Sequence, residues 1–450
     1  MTATPTGRPG VIRFRRYLYA LIARYLSFFT GTEARVLEIG PLTRLLKDAL
    51  RVRAMAAYQP AADAAFDAAE VVGSADAASF RPDAIVLNGV LHFEPDVQAR
   101  LEEVRRLCVP STRVLVVYYS SLWRPLFTLA RLLGLQGPTP KSNWIAPSDL
   151  ANLLVLSGFE LVTNQARVLV PVWIPLVSGF VNRWLAPLPG LNWLALVQVA
   201  VARPLIPAWQ TAPSVSVVVP ARNEAGNIPG VVERLPAMGP EDEIIFVEGH
   251  STDDTWAAMQ RVAAQWPDRR ITCIQQRGKG KGDAVRAGFA LATREILMIL
   301  DADLTVSPEE LPKFYRARVS GLCEFVNGSR LVYPMESEAM RFANIVGNKF
   351  FALAFSFLLG QTFKDTLCGT KVLDRAAYER LAANRGYFGD FDPFGDFDLL
   401  FGAQRLGLKM LELPIRYRER TYGTTNIQRW RHGWLLLRMT AFAARRVKFI

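Results

Sequence analysis

Carboxylates follow three apolar runs of the chain. The run VSVVVP leads into Arg222 and Glu224, EIIFV leads into Glu248, and ILMIL leads into Asp301 and Asp303. Ligands of open α/β sheets bind beyond the carboxyl ends of the strands, so we expect these three ends to form one site.

Asp301 and Asp303 have the residue type and spacing of a metal site. One residue separates them, which at the end of a strand places both carboxylates on the same side of the chain. Oxygen ligands of this kind suit Mg²⁺ or Mn²⁺, and such an ion neutralises charge on a departing diphosphate. Because solvated turns also carry paired aspartates, the flanking motifs must decide the interpretation.

A glycine-rich turn, RGKGKG, precedes a helical pattern at residues 277–292. Lys279, Lys281 and Arg286 are therefore predicted to approach a diphosphate near a helix N-terminus. The spacing is not that of a Walker A motif, and a solvated basic turn is the alternative.

Composition limits the class of protein. A chain of 450 residues predicts two domains, and 50% apolar with 21% charged residues excludes a disordered chain. No uninterrupted apolar run reaches the roughly 20 residues of a membrane helix. The net charge of +12 indicates an anionic partner, either nucleotide phosphates or a membrane surface. Nucleic acid is not expected, because no RNA-binding or helix-turn-helix motif accompanies the charge.

The cysteines and the N-terminus predict a cytoplasmic protein. Four cysteines are scattered without a CxxC pair, which favours a reducing compartment. Arg24 interrupts the apolar N-terminal stretch and no small-residue cleavage site follows, so we expect no signal peptide.

The predicted fold class is α/β with two domains. Residues 33–204 alternate buried strand patterns (RVLEIG, DAIVLN, RVLVVYY) with helical periodicity, which predicts a Rossmann-like sheet ending in an antiparallel pair. Prolines mark a linker at residues 205–213. Residues 214–450 again alternate strands (VSVVVP, EIIFVE, ITCIQQ, ILMILD) and helices.

Both ends of the chain are basic and amphipathic. In the N-terminal segment 1–32, a stripe from Phe14 to Phe28 either packs on the first sheet, which we favour, or contacts lipid. Near the C-terminus, Trp430, Trp434 and Leu437 alternate with arginines, as in an interfacial helix; a core-packed helix is the alternative.

Six motifs in order resemble the family-2 glycosyltransferases of GT-A fold, and especially the dolichol- and polyprenyl-phosphate sugar synthases. They are PARNE, STDDT, GKGKGDAVRAG, DADLT, KDTLCGTKV and LELPIRYRERTYGTTNI, spread over residues 214–450. The resemblance implies inverting, metal-dependent transfer of a sugar from a nucleotide-sugar donor to a polyprenyl-phosphate or related lipid-linked acceptor. It also implies a peripheral protein at the inner face of the cell membrane.

The resemblance assigns donor residues. It implies nucleotide recognition by Pro220, Arg222, Glu224 and Glu248, and metal-diphosphate binding by Asp301 and Asp303. This chain has Glu248-Gly249-His250 where the family usually has Asp-Asp-Gly, and Thr305 where the synthases often have Gln.

The resemblance also suggests acceptor residues. Asp396 and Asp398 match the position of a general base for an alcohol acceptor, whereas Arg418, Arg420 and Thr425 match a stretch that contacts a lipid phosphate. A phosphate monoester, whose second pKa is near roughly 6, is already anionic and needs no base. Capping of a helix that begins around Phe397 is the structural alternative for the two aspartates.

Residues 34–204 resemble a class I S-adenosylmethionine-dependent methyltransferase. Small residues should follow the first strand, but Pro41, Leu42 and Arg44 follow Gly40, and AMAAYQP offers no acidic ribose partner. Glu38 and Asn88 remain as fragments of a site. These departures favour a degenerate docking or regulatory domain over an active methyltransferase.

The sequence is also compatible with three other functions. They are transfer to a glycan hydroxyl with an aspartate base, methyl transfer beside an accessory sugar-binding domain, and a membrane scaffold without activity.

Overall fold

The computed structural model describes residues 9–60, 66–67, 70–133, 142–333, 342–387, 395–420, 422–423 and 429–450. The chain forms two compact units, residues 1–205 together with 445–450, and residues 206–444. Each contains one seven-stranded sheet, so the predicted fold class is confirmed.

The sheet of the first unit is doubly wound. Its strands are Arg35–Ile39 (β1), Ala54–Tyr58 (β2), Val71–Val72 (β3), Ala84–Asn88 (β4), Arg113–Tyr119 (β5), Phe159–Arg167 (β6) and Val197–Pro204 (β7). They lie in the order β3-β2-β1-β4-β5-β7-β6. Strand β7 is antiparallel to both β5 and β6, which confirms the predicted antiparallel pair.

Helices cover both faces of this sheet. They are Pro9–Thr30 (α1), Leu45–Ala49 (α2), Ser74–Phe80 (α3), Val97–Leu107 (α4), Arg124–Leu132 (α5), Pro147–Leu156 (α6) and Val177–Phe180 (α7). Side chains of β5 alternate, so Val114 and Val116 pack in a core with α4 and α6. Leu115 and Val117 pack in a second core with Leu18 and other residues of α1, the packing that the sequence favoured.

The sheet of the second unit brings together the strand ends that carry carboxylates. Its strands are Val215–Ala221 (β8), Glu243–Glu248 (β9), Arg270–Gln275 (β10), Ile296–Ile299 (β11), Phe325–Ser329 (β12), Lys371–Asp374 (β13) and Met410–Pro414 (β14). Their order is β10-β9-β8-β11-β13-β12-β14. Because β9, β8 and β11 are adjacent and parallel, their carboxyl ends meet at one edge, as predicted.

Eight helices of the second unit fall within the described residues. They are Ile228–Arg234 (α8), Thr255–Gln265 (α9), Lys281–Leu291 (α10), Leu311–Val319 (α11), Phe342–Leu359 (α12), Arg375–Ala383 (α13), Gly395–Arg405 (α14) and Arg429–Ala443 (α15). Across the part of the chain that the structure describes, no helix has the length and apolar character needed to cross a membrane.

Helix α10 packs unusually close to the sheet because it contains Gly288. A Cβ at this position would overlap Cγ1 of Val218 on β8 and would lie 3.2 Å from Cγ2 of Val247 on β9. At the other end of the helix, Asp283 accepts a hydrogen bond of 2.9 Å from the Gly278 amide. These contacts fix the N-terminus of α10, with Lys281 as its first residue.

We expect Gly288→Ala to destabilise the second unit by about 1–3 kcal/mol, because the added methyl group overpacks the contact with β8. Gly347→Ala is a matched control in α12, where no described atom lies within 4 Å of the Cβ position. It should stabilise the protein by about 0.5–1 kcal/mol through helix propensity. Urea unfolding of both variants measures the difference, and equal stabilities would contradict the close packing.

Candidate active site

The loop after β8 is held by the loop after β9. Asn223 has a positive φ of 57°, and its amide donates a hydrogen bond of 3.0 Å to Oγ of Ser251. The Glu224 amide donates to Oγ1 of Thr255 at 2.9 Å. These two bonds fix the backbone from which the Glu224 side chain extends.

Glu224 is a buried carboxylate with two partners. Its Oε1 accepts from the Arg420 guanidinium at 2.7 Å, and its Oε2 accepts from Nδ2 of Asn227 at 2.7 Å. Burial raises the pKa of Glu224, although Arg420 and Asn227 act in the opposite direction. Loss of Arg420 would therefore leave this carboxylate poorly compensated.

Arg420 also binds Asp303. Its second amino group donates to Oδ2 of Asp303 at 2.8 Å, so one guanidinium bridges the β8 and β11 ends. Burial opposes the charged form of Arg420, yet the carboxylates of Asp303 and Glu224 hold its pKa above the ordinary value. The resemblance assigns Arg418, like Arg420, to the acceptor phosphate. The Arg418 side chain is exposed, and its amide donates to the Thr305 carbonyl at 2.9 Å.

Asp301 pairs with a different cation. Its Oδ1 lies 2.5 Å from Nζ of Lys281, the first residue of α10. Burial disfavours its ionised form, but Lys281, with Lys371 and Arg330, lowers its pKa below the ordinary value. Gly369 packs against this pair, since a Cβ there would overlap both Oδ2 of Asp301 and Nζ of Lys281.

The two aspartates do not lie on an extended strand. Strand β11 ends at Ile299, and the following turn contains Leu304 at a positive φ of 54°. The strand alternation that predicted both carboxylates on one side therefore does not apply. Asp303 instead accepts from the amide and hydroxyl of Thr305, at 3.1 and 2.7 Å.

Glu248 lies at the end of β9 and is buried. Its carboxylate accepts from the Ser251 amide, so part of its role is to shape the loop that supports β8. His250, at a positive φ of 59°, places Nε2 2.9 Å from the Gly278 carbonyl. This contact joins the end of β9 to the glycine-rich turn before α10.

Sequence reasoning did not identify Tyr422 as a site residue. Its ring lies so close to Gly226 that a Cβ there would overlap it, and its hydroxyl donates to Oδ2 of Asp253 at 3.4 Å. Gly423 has a positive φ of 76° and lies against the Asn223 carbonyl. Tyr422 and Gly423 therefore lie against the loop after β8, a contact that local patterns do not reveal.

A second missed feature is a buried ion pair beside the site. Arg330 donates to both carboxylate oxygens of Asp365, at 2.6 and 2.9 Å. Burial opposes ionisation of Asp365, but Arg330 lowers its pKa below the ordinary value. Lys371 donates to the Cys368 carbonyl. The motif KDTLCGTKV is visible in the sequence, but the sequence does not reveal that Asp365 pairs with Arg330 or that Lys371 binds the Cys368 carbonyl.

Of five further predicted residues, three have side chains that the structure describes and two do not. The side chains of Arg222 and Lys279 are exposed, and Pro220 at the end of β8 is partly exposed. Thr425 lies outside the described residues, and Asp396 is described only as part of the α14 backbone.

Asp398 belongs to a different cluster from Asp301 and Asp303. It lies inside α14, which begins at Gly395, so the interpretation that it caps a helix starting at Phe397 is wrong. Its Oδ2 is 3.8 Å from Arg286 and 4.0 Å from Arg385. These arginines hold the carboxylate at the contact between α14 and the helices beside it.

The donor set is compatible with the predicted divalent metal. Within the described residues, no group of three or more His, Cys, Asp or Glu side chains is arranged to hold a metal. Asp301 and Asp303 are partly exposed, and each faces a cation. Two carboxylates fit an ion such as Mg²⁺ or Mn²⁺ that takes its other ligands from phosphates and water.

The first unit fits S-adenosylmethionine poorly. The Cβ position of Gly40 lies 2.8 Å from Cγ2 of Val90, so the glycine turn is packed against a side chain. Gln59 follows β2 in place of an acid, and its amide group bonds to Arg100 and Glu103. Burial raises the pKa of Glu38 to about 8.

Family models match both units of the chain. Residues 216–382 match the family model "Glycosyl transferase family 2", and residues 11–164 match "Methyltransferase domain". The second unit therefore carries a family-2 glycosyltransferase domain, and the first carries a methyltransferase-type domain.

Two relatives that are named as sugar transferases or synthases match the second half of the chain. Glycosyltransferase AglD of Haloferax volcanii is 31% identical over 218 residues, which cover 46% of this chain and 34% of AglD. Polyprenol monophosphomannose synthase of Mycolicibacterium smegmatis is 28% identical over 218 residues, 47% of this chain and 80% of the synthase. The chain thus spans about a third of AglD.

A solved structure also matches this half. Mannosyltransferase PcManGT from Pyrobaculum calidifontis, in complex with GDP-Man and Mn²⁺, is 22% identical at a TM-score of 0.37. The match covers 54% of this chain and 67% of that chain.

We expect Arg420→Gln to cost about 1–3 kcal/mol of stability at pH 7, because it leaves Glu224 without its ion pair. Without Arg420 the pKa of Glu224 rises further above its unfolded value of 4.5. The unfolded state then releases a proton more readily than the native state, so the deficit grows as pH rises above 4.5.

Urea unfolding at pH 4 and pH 7 measures this pH dependence. Arg418→Gln is the matched control, since its side chain is exposed and its backbone bond to Thr305 is kept. If the stability lost in Arg420→Gln is the same at both pH values, the pKa of Glu224 does not depend on Arg420.

Proposed function

We propose that the second unit transfers a sugar from a nucleotide-sugar donor to a polyprenyl phosphate or a related lipid-linked acceptor, with a divalent metal and inversion at the sugar carbon. The observation that carries this proposal is the set of two aspartates at the β11 end, each facing a basic side chain. Such an arrangement suits a diphosphate, whose charge grows as the sugar departs.

Donor binding is assigned to the shared edge of β8, β9 and β11. Glu224 and Glu248 lie at two of its strand ends, with Pro220 and Arg222 beside them. Lys281 and Arg420 supply positive charge next to Asp301 and Asp303. A Mg²⁺ or Mn²⁺ ion held by Asp301 and Asp303 would supply further charge to the diphosphate.

The acceptor is assigned as a phosphate because of the surroundings of Asp398. This buried carboxylate faces two cations, Arg286 at 3.8 Å and Arg385 at 4.0 Å, which favours a structural role for it over that of a general base. A phosphate monoester is anionic at neutral pH and attacks the sugar carbon without prior loss of a proton. The carbon–oxygen bond to the diphosphate then breaks on the opposite face, so positioning and charge dominate the chemistry.

Exposed apolar residues support a lipid-linked acceptor. Helices α12 and α15 are in contact. Phe350 and Leu353 of α12, and Trp434 and Leu437 of α15, are exposed beside the cations Lys349 and Arg438. Helix α15 also buries Leu436. The helix therefore has one face packed in the core and one exposed apolar face of the interfacial type, the two alternatives that the sequence offered. The similarity of this chain to the polyprenol monophosphomannose synthase of Mycolicibacterium smegmatis also supports such an acceptor.

The proposed location is the cytoplasmic face of a membrane, where both a nucleotide sugar and a polyprenyl phosphate are accessible. The protein would bind there peripherally, through basic and apolar side chains at its surface.

We expect Asp301→Asn and Asp303→Asn each to lower sugar transfer by about 10²–10³-fold, because each removes charge that organises the diphosphate and its metal. The assay uses the full chain, a panel of UDP- and GDP-sugars, Mg²⁺ or Mn²⁺, and a short polyprenyl phosphate. Lipid-linked product is measured by mass spectrometry.

Asp398→Asn distinguishes the two acceptor types. Near-normal transfer in this variant is expected for a phosphate acceptor, whereas loss of transfer with donor binding intact would favour a hydroxyl acceptor and an aspartate base. Absence of donor binding in the wild-type protein would contradict the proposed function.

A further inference from the structure

Helix α5 of the first unit and the residues on either side of it present an apolar stripe to solvent. Leu122, Leu126, Leu129 and Leu133 recur at spacings of four, three and four residues, which places them on one side of the helix. Their exposed fractions are 61%, 54%, 51% and 64%. Since Trp123 and Phe127 already pack this segment against the core with α1, the leucine stripe is a second apolar face.

A second exposed apolar group comes from residues 171–194. Its members are Trp173, Leu176, Phe180, Trp193 and Leu194, all more than half exposed. Leu176 is 94% exposed and has a positive φ of 63°, a conformation that a leucine rarely adopts. The backbone therefore presents this side chain outward at a local energetic cost.

Two buried polar residues hold this segment in shape. Oγ of Ser178 accepts from the Ile174 amide and donates to the Val172 carbonyl, both at 2.7 Å. Asn182 accepts from the amides of residues 169 and 170 and donates to the Val170 carbonyl. The apolar side chains thus project from an ordered loop.

The two groups lie side by side. The indole nitrogen of Trp123, at the start of α5, donates to the Leu194 carbonyl at 2.9 Å. We call the leucine stripe and the 171–194 group together the apolar ridge. The bond from Trp123 to Leu194 makes the two groups neighbours on one surface, and a continuous exposed apolar patch marks an interaction site.

The charge around the apolar ridge favours an anionic partner. Residues 104–148 and 161–223, which contain the whole ridge, have no Asp or Glu, although the chain has 41 of them. Arg124 and Arg131 are exposed on α5, seven residues apart, and their spacing from the leucines places them on the side of the helix away from the stripe. Arg13, Arg16 and Arg24 are exposed on α1, which packs against the same face of the sheet.

We propose that the apolar ridge is a membrane-docking surface, and that its partner is the interface of a bilayer that contains anionic lipid. Tryptophans and leucines enter the region between headgroups and acyl chains, while the arginines on the polar side of α5 and on α1 are attracted to anionic lipid. The methyltransferase-type unit then serves as a membrane anchor. This role does not depend on sugar transfer by the second unit.

Flotation of the full-length protein with vesicles tests the proposal. The wild-type protein should float with vesicles of phosphatidylcholine and phosphatidylglycerol, and much less with phosphatidylcholine alone. Leu126→Glu/Leu129→Glu should bind about tenfold or more weakly, because charged groups then face the acyl chains. Trp173→Ser/Leu176→Ser tests the other half of the ridge without adding charge.

Val155→Glu/Leu156→Glu is the matched control. These residues of α6 are 61% and 65% exposed, but α6 packs against the opposite face of the sheet. The control should float like the wild-type protein, and circular dichroism should show that all three variants are folded.

Three results would overturn the proposal. They are absence of flotation of the wild-type protein, unchanged flotation of both ridge variants, and a lipid-free dimer that the ridge variants convert to a monomer. The last result, from light scattering, would assign the ridge to a second copy of the chain. Donor binding by the second unit is measured separately, so failure here leaves the proposed sugar transfer intact.

Discussion

Carboxylates gathered at one edge of a sheet repel one another unless cations lie between them. In the second unit Glu224, Asp301 and Asp303 are brought together by parallel pairing of β8 and β11, and two basic side chains offset their charge. Arg420 bridges Glu224 and Asp303, whereas Lys281 binds Asp301. The loop that carries Arg420 and the N-terminus of α10, which carries Lys281, are therefore tied to the sheet edge by these ion pairs. Both signs of charge at this edge are thus already ordered before any ligand binds.

Close backbone approach makes the second of these ion pairs possible. Gly369 has no side chain, so the KDTLCGTKV loop lies directly against Asp301 and Lys281. The same loop is anchored by the buried pair of Arg330 and Asp365, because an uncompensated charge there would be costly. Packing of α10 on β8 through Gly288 completes the arrangement by setting the position of Lys281. A small set of tight contacts thus holds Asp301 and Lys281 in place.

Much of the sheet architecture followed from local patterns. Runs such as VSVVVP and EIIFVE are continuous and apolar, so they predicted buried parallel strands. The carboxylates that follow these runs predicted which edge of the sheet carries the candidate site. Strand β12, with the sequence FVNGS, has no such signal because polar and glycine residues interrupt it. The turn at Asp301 was also missed, since its geometry depends on Leu304 at positive φ. Arg420 and Glu224 are 196 residues apart, and only the folded chain brings them together.

The most direct test of this account is calorimetric titration of UDP and GDP with Mn²⁺ into Gly369→Ala. The substitution removes no charged or polar side chain, but its methyl group would displace the Asp301–Lys281 pair. Gly386→Ala, where no described atom lies within 4 Å of the Cβ position, is the control. The account predicts a folded Gly369→Ala protein that binds nucleoside diphosphate about tenfold or more weakly, a loss of about 1.4 kcal/mol, and a control like the wild type. Unchanged binding by Gly369→Ala would contradict it.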